Sequence, residues 1–229
     1  MTTFALIHSP LVGPITWKPV AEELRQRGVE AVVPTLSTDP ADQPYWNQHV
    51  RRVTAALEAL PATGPIILVS HSGAGVLLPA IRQMMQRPIG GYIYVDSGLP
   101  KDGASRLELF GSPEEANEFR MAAQDGLLPM WTDDDLREVI PDDRLRREFV
   151  AELRPLPLAV YEEPIPVFEN WPDAPCGYLL FSETYRDSAS VAQRNGWPYV
   201  ELPNGHFQML NDPAGVAEIL LDLAKKMSA

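Results

Sequence analysis

Ser72 lies in the run Ile66-Ile67-Leu68-Val69-Ser70-His71-Ser72-Gly73-Ala74-Gly75-Val76, where an apolar, β-forming stretch meets a serine among very small residues. Beyond it, Val76-Leu77-Leu78-Pro79-Ala80-Ile81 resumes with the apolar spacing of a helix. The pattern predicts a strand, a tight turn and a helix, with Ser72 at the apex. Such an apex needs small neighbours two positions before and two after, here Ser70 and Ala74, because the backbone folds back on itself. The hydroxyl then projects at the carboxyl end of a sheet. It also sits at a helix N-terminus, where unpaired N–H groups favour developing negative charge. A serine hydroxyl is a poor nucleophile until a base takes its proton. Four histidines are available: His8, His49, His71 and His206. His206 falls in Leu202-Pro203-Asn204-Gly205-His206-Phe207-Gln208-Met209-Leu210, a predicted loop between the last strand and the last helix.

The elements that must position these groups follow from the hydrophobic period. Strands are predicted at 4–8, 29–33, 65–69, 91–95, 177–181 and 199–202. Helices are predicted at 16–27, 46–60, 73–86 and 214–226. The alternation argues for a parallel, doubly wound α/β sheet. Right-handed crossovers place the loops after each strand along one edge, where sites in such sheets lie. Residues 98–175 differ in character. They are rich in proline, with helical pieces at 113–124, 133–140 and 142–153. Phe110, Met121, Met130, Trp131 and Tyr161 are among their apolar residues, and some are candidates for a substrate pocket.

Composition bounds the partners. A chain of 229 residues holds one well-buried domain, and a formal charge of -12 with scattered Lys and Arg argues against nucleic acid and anionic membrane surfaces. Cys176 is the single cysteine, so no intramolecular disulfide forms; it reads as a small buried residue. The first residues lack a basic segment and a long apolar core, and a cytoplasmic protein is expected. No histidine or cysteine spacing suits a metal, and no cofactor is expected. The partner is a small-molecule substrate; a homodimer is also admitted.

The stretch around Ser72 resembles the nucleophile elbow of the α/β-hydrolase superfamily, with Ser70 and Ala74 in place of the two outer glycines of Gly-x-Ser-x-Gly. The resemblance runs through nearly the whole chain in order. It implies an α/β-hydrolase fold lacking the leading antiparallel hairpin, with about six strands in a mostly parallel sheet. It also implies a core of residues 1–97 and 176–229 and a helical cap at 98–175.

The same resemblance implies the roles. Ser72 is the nucleophile and His206 the base. The acid that orients His206 is open between Asp96, after the strand before the cap, and Glu183, after the strand that follows it. Tyr185 aligns with the usual aspartate and cannot serve. Gly73 and the loop His8-Ser9-Pro10-Leu11 are implied to form the oxyanion hole. The usual donor position is Pro10, which has no N–H, so Leu11 or a side chain such as Ser9 must stand in. Pro10, Met130, Trp131 and Phe207 are the expected substrate contacts. The expected activity is a cofactor-independent serine hydrolase acting on a small ester, lactone or thioester. A lyase or cyclase using proton transfer, and a non-catalytic small-molecule receptor, are the alternatives.

Overall fold

The computed structural model describes residues 2–61, 64–109, 112–128 and 130–228; Phe110 lies outside them. The chain order is β1 (Thr3–Ile7), α1 (Lys18–Gln26), β2 (Glu30–Val32), α2 (Tyr45–Glu58), β3 (Ile66–Ser72), α3 (Leu78–Met84) and β4 (Ile89–Ser97), followed by an inserted segment. It resumes with β7 (Cys176–Leu180), α7 (Arg186–Arg194), β8 (Tyr199–Glu201), α8 (Gln208–Asn211) and α9 (Pro213–Met227). The insertion carries α4 (Pro113–Met121), β5 (Leu127–Leu128), α5 (Asp143–Glu152), β6 (Leu156–Pro157) and α6 (Ala159–Glu162). The main sheet has six strands in the order β2-β1-β3-β4-β7-β8, all paired in parallel. This is the doubly wound α/β sheet expected from the pattern.

Alternate residues of each strand face opposite layers. Phe4, Leu6, Ile67, Val69, Ile93, Val95 and Leu179 meet α1 and α9 through Val20, Leu24, Val216 and Leu220. Ala5, Ile7, Leu68, Tyr92, Tyr94 and Tyr178 meet α2, α3 and α7 through Val50, Val53, Leu57, Ile81, Ala189 and Ala192. Each buried aliphatic side chain contributes about 1.5–3 kcal/mol of transfer free energy, and both layers together fix the strand register. The insertion has a smaller core of its own, with Leu107, Leu128, Leu156, Val160 and Tyr161 packed on Tyr45 of α2.

Two helices differ from expectation. Residues 133–140 form turns, not a helix. Too few residues separate Thr132, whose N–H and hydroxyl bond Asp135, from Pro141, which disfavours helical geometry just before it. The helix expected from Gly73 begins later: Gly75–Leu77 is a 3-10 turn, and the α-helix starts at Leu78 with Pro79 in its first turn. Among the described residues no helix is long and apolar enough to cross a membrane.

Candidate active site

Ser72 ends β3 with φ +55, a left-handed conformation that non-glycine residues rarely adopt. Its carbonyl accepts a 2.6 Å bond from the Ser97 hydroxyl on β4, which fastens the turn to the neighbouring strand. Asp96 is also left-handed, at φ +43. The ladder explains why: His71 pairs with Val95, but Ser72 pairs with Ser97, so Asp96 is the extra residue of a bulge. A bulge re-aims a side chain, and here it turns a carboxylate along the sheet edge instead of across the layers.

Asp96 is fully buried. Its Oδ1 accepts from the Phe181 and Ser182 backbone N–H groups at 2.9 and 2.8 Å, and its Oδ2 from the Ser182 hydroxyl at 2.6 Å. The fourth donor is His206, with Nδ1 2.6 Å from Oδ2. His206 sits in the loop between β8 and α8, behind Gly205, whose φ of +95 requires glycine there. With Nδ1–H given to the carboxylate, Nε2 keeps its lone pair and can accept a proton.

Beneath His206 lies His71, their ring centroids 4.4 Å apart. His71 Nε2–H donates to the His206 carbonyl at 3.0 Å. Burial holds the His71 pKa well below the ordinary histidine range, and proximity to His206 adds to this. His71 is therefore a neutral prop for the loop, a role the sequence pattern did not disclose. His8 is likewise buried and neutral, pushed down to about 4 by desolvation. It donates from Nδ1 to Ser9 O at 2.8 Å and accepts from Leu36 N–H at 3.1 Å, ordering the loop after β1. His49 is a packing residue bonded to the Thr38 hydroxyl at 2.9 Å. The Cys176 thiol is buried and pushed up to about 12, which makes it unreactive.

The Ser72 hydroxyl is 3.1 Å from the Tyr185 hydroxyl. Among the described residues no hydrogen bond joins it to His206. Tyr185 stacks on the His206 ring, with centroids 5.7 Å apart and an interplanar angle of 21°. The residue that occupies the usual aspartate position thus touches both the serine and the histidine. The resemblance marks Tyr185 only as unable to supply a carboxylate.

Glu183, the alternative acid, is not brought to His206. It lies in a 3-10 turn (Glu183–Tyr185) with its side chain 81% exposed, paired to Arg186 at 2.6 Å. The turn sends Ser182, not Glu183, towards the buried edge, where Ser182 binds Asp96. Gly73 follows Ser72 as expected. A Cβ there would stand 2.9 Å from the Tyr161 hydroxyl and 3.4 Å from the Ser9 hydroxyl, so close approach, not backbone conformation, accounts for the glycine. Leu11 N–H is turned towards the Ser9 hydroxyl at 3.4 Å.

A cavity of about 10 Å³ adjoins Ser72 and Gly73, closed by Arg106, Leu109, Tyr161 and Tyr185. None of the four expected substrate contacts lines it. Pro10 borders a separate cleft of about 340 Å³ shared with Leu11 and Leu156. Phe207 is buried core, packed on Phe149 and against His206. Trp131 lies edge-on to Phe207 near the surface, and Met130 is 49% exposed. Trp131 and Phe149 of the insertion both pack on Phe207, just ahead of α8.

Comparison with known proteins adds four findings. A family model described as the alpha/beta hydrolase family matches residues 5–219. A carbendazim hydrolyzing esterase of Nocardioides sp. (strain SG-4G) is 26% identical over 257 residues, covering 97% of this chain and all of that protein. Among solved structures, an extracellular alpha/beta-hydrolase from a Paenibacillus species superposes with TM-score 0.79 at 19% identity, covering 97% of this chain and 99% of that one. A pyrethroid hydrolase from Sphingobium faniae JZ-2 superposes with TM-score 0.69 at 21% identity, covering 98% and 97%.

Proposed function

Because the chain belongs to the alpha/beta hydrolase family, we propose that it cleaves a small carboxylic ester, lactone or thioester through an acyl-enzyme on Ser72. The observation that carries this reading is the 2.6 Å bond between His206 Nδ1 and Asp96 Oδ2 at the sheet edge where Ser72 ends its strand. The esterase relative and the pyrethroid hydrolase neighbour support ester hydrolysis on this framework.

The reaction begins with a rotation of the Ser72 side chain from Tyr185 to His206. Ser72 Oγ attacks the substrate carbonyl carbon while its proton passes to His206 Nε2. Asp96 stabilises the imidazolium and holds its orientation. The tetrahedral oxyanion is met on one side by the Gly73 N–H. Collapse breaks the bond to the leaving group, which takes the proton from His206. Water, deprotonated by the same nitrogen, then attacks the acyl-enzyme; collapse breaks the bond to Ser72 Oγ, which takes that proton back from His206 as the acid leaves.

A fluorophosphonate probe with a p-nitrophenyl ester panel tests the assignment. Labelling at Ser72, with ester turnover abolished in Ser72→Ala, is the expected result. Turnover that survives Ser72→Ala would overturn it. The Ser72–Tyr185 contact favours one second reading, proton-transfer chemistry without an acyl-enzyme, whose signature is labelling with no ester turnover.

A further inference from the structure

Pro10 leaves the oxyanion hole one N–H short, and the structure puts two hydroxyls beside the residue that follows Ser72. Tyr161 of α6 and Ser9 of the loop after β1 converge on Gly73, both within 3.4 Å of where a Cβ on that residue would stand. Their oxygens are 3.1 Å apart. Leu11 N–H, the alternative donor, is directed at Ser9 Oγ. Resting on the serine-hydrolase reading, we propose that the Tyr161–Ser9 hydroxyl pair supplies the second oxyanion donor opposite the Gly73 N–H.

Proton counting supports this. Two hydroxyls carry two hydrogens. The bond between them uses one, and Ser9 Oγ also accepts from Leu11 N–H. Whichever oxygen donates to the other, one hydroxyl hydrogen remains for a third acceptor. Both oxygens border the residue after the nucleophile, so an oxyanion formed on Ser72 is the acceptor within reach. Tyr161 is buried and its pKa is raised by that burial, so the hydroxyl keeps its proton at neutral pH.

The position of Tyr161 is fixed by Arg106. Its Nε–H donates to Gly73 O at 2.9 Å and its Nη1–H to Val160 O at 2.6 Å. One planar guanidinium therefore pins the residue before Tyr161 to the residue after Ser72. Pre-set geometry of this kind is what gives oxyanion donors their effect, since no reorganisation is needed as charge develops. Arg106 is a positioning residue; the hydroxyl of the pair that keeps its hydrogen free is the one that meets the oxyanion.

The test compares wild type with Tyr161→Phe and Ser9→Ala, the fold of each checked by circular dichroism and thermal melting. Three readouts are taken: the rate constant of fluorophosphonate labelling at Ser72, kcat and KM on p-nitrophenyl acetate, and the inhibition constant of a trifluoromethyl ketone, whose adduct with serine is a tetrahedral oxyanion. Losing one oxyanion donor costs about 10²–10³-fold in rate. Tyr161→Phe is expected to show that loss in kcat and labelling and to weaken the ketone in parallel, with KM within about twofold. Ser9→Thr is expected to recover most of what Ser9→Ala loses. A folded Tyr161→Phe that labels, turns over and binds the ketone within about threefold of wild type overturns the assignment while leaving the serine mechanism standing. Failure of wild type to label at Ser72 overturns the underlying mechanism and this assignment with it.

Discussion

His206 Nδ1 and Asp96 Oδ2 are 2.6 Å apart, and Asp96 takes three further hydrogen bonds from residues 181 and 182. The histidine is thus tied, through one carboxylate, to the loop that follows β7. Replacing Asp96 with Asn places an amide where four donors converge and gives His206 the wrong tautomer. We expect kcat to fall by about 10⁴-fold, as in the serine-protease precedent. Glu183→Gln, at the exposed Arg186 pair, is expected to stay within about twofold, because such pairs contribute little. Steady-state kinetics of the two variants on one ester check both outcomes. A larger loss in Glu183→Gln than in Asp96→Asn would refute the assignment of the acid.

On the serine-hydrolase reading, Tyr185, which holds the Ser72 hydroxyl at 3.1 Å, competes with His206 for it. A neutral hydrogen bond is worth about 0.5–1.5 kcal/mol, so removing the competitor should free the serine by roughly 2–10-fold. Tyr185→Phe keeps the ring that stacks on His206 and deletes only the hydroxyl. Its fluorophosphonate labelling is therefore expected to be faster than wild type. Slower labelling would show that Tyr185 aids the serine rather than restraining it.

A side chain at Gly73 would collide with the hydroxyl of Tyr161 and press against that of Ser9. The Cβ of Gly73→Ala requires Tyr161 to move, and Arg106 resists that movement through Val160 O. We expect a folded protein with about 10²-fold slower labelling, the loss assigned to one oxyanion donor. Combining Gly73→Ala with Tyr161→Phe should then cost little more than either change alone, because both remove the same donor. Additive losses, measured by labelling rates across this cycle, would separate the two effects.

The buried histidines predict how stability depends on pH. His8 and His49 have folded pKa values depressed by burial to about 4 and about 3, and that of His71 is also well below 6.5. In the unfolded chain each takes a proton near pH 6.5. Between pH 6.5 and about 4 the unfolded state therefore binds protons that the folded state refuses, and stability falls as the pH drops. For His8 alone the loss is on the order of 3 kcal/mol at the acid end. Urea midpoints measured from pH 7.5 to pH 4.5 should decline, and His8→Gln should flatten the curve. A midpoint independent of pH across that window would contradict the burial of these rings.

Much of the framework was legible in the sequence because it rests on period and order. Strands alternating with helices fixed the layers, and the small residues around Ser72 marked the turn. What stayed hidden depends on register and depth. Nothing in Tyr92-Ile93-Tyr94-Val95-Asp96-Ser97 announces that the ladder skips Asp96, and that skip is what separates Asp96 from Glu183 as the partner of His206. The roles of Tyr161 and Arg106 are equally silent, since a tyrosine and an arginine in a proline-rich insertion look like packing and solvation until their contacts with Gly73 are seen. Met130 and Trp131 stand apart from the cavity beside Ser72. Apolar type suggested a pocket, but both are partly exposed at the surface of the insertion.

Asp96 and His206 meet across 110 positions of chain, and Ser72 meets Tyr185 across 113. Long closures of this kind form late. A polypeptide emerging from the ribosome therefore cannot close either contact until residues 185 and 206 have been added. On the proposed reading, reactivity towards the probe waits for that last crossover to dock, so the first moment of labelling would mark completion of the fold itself.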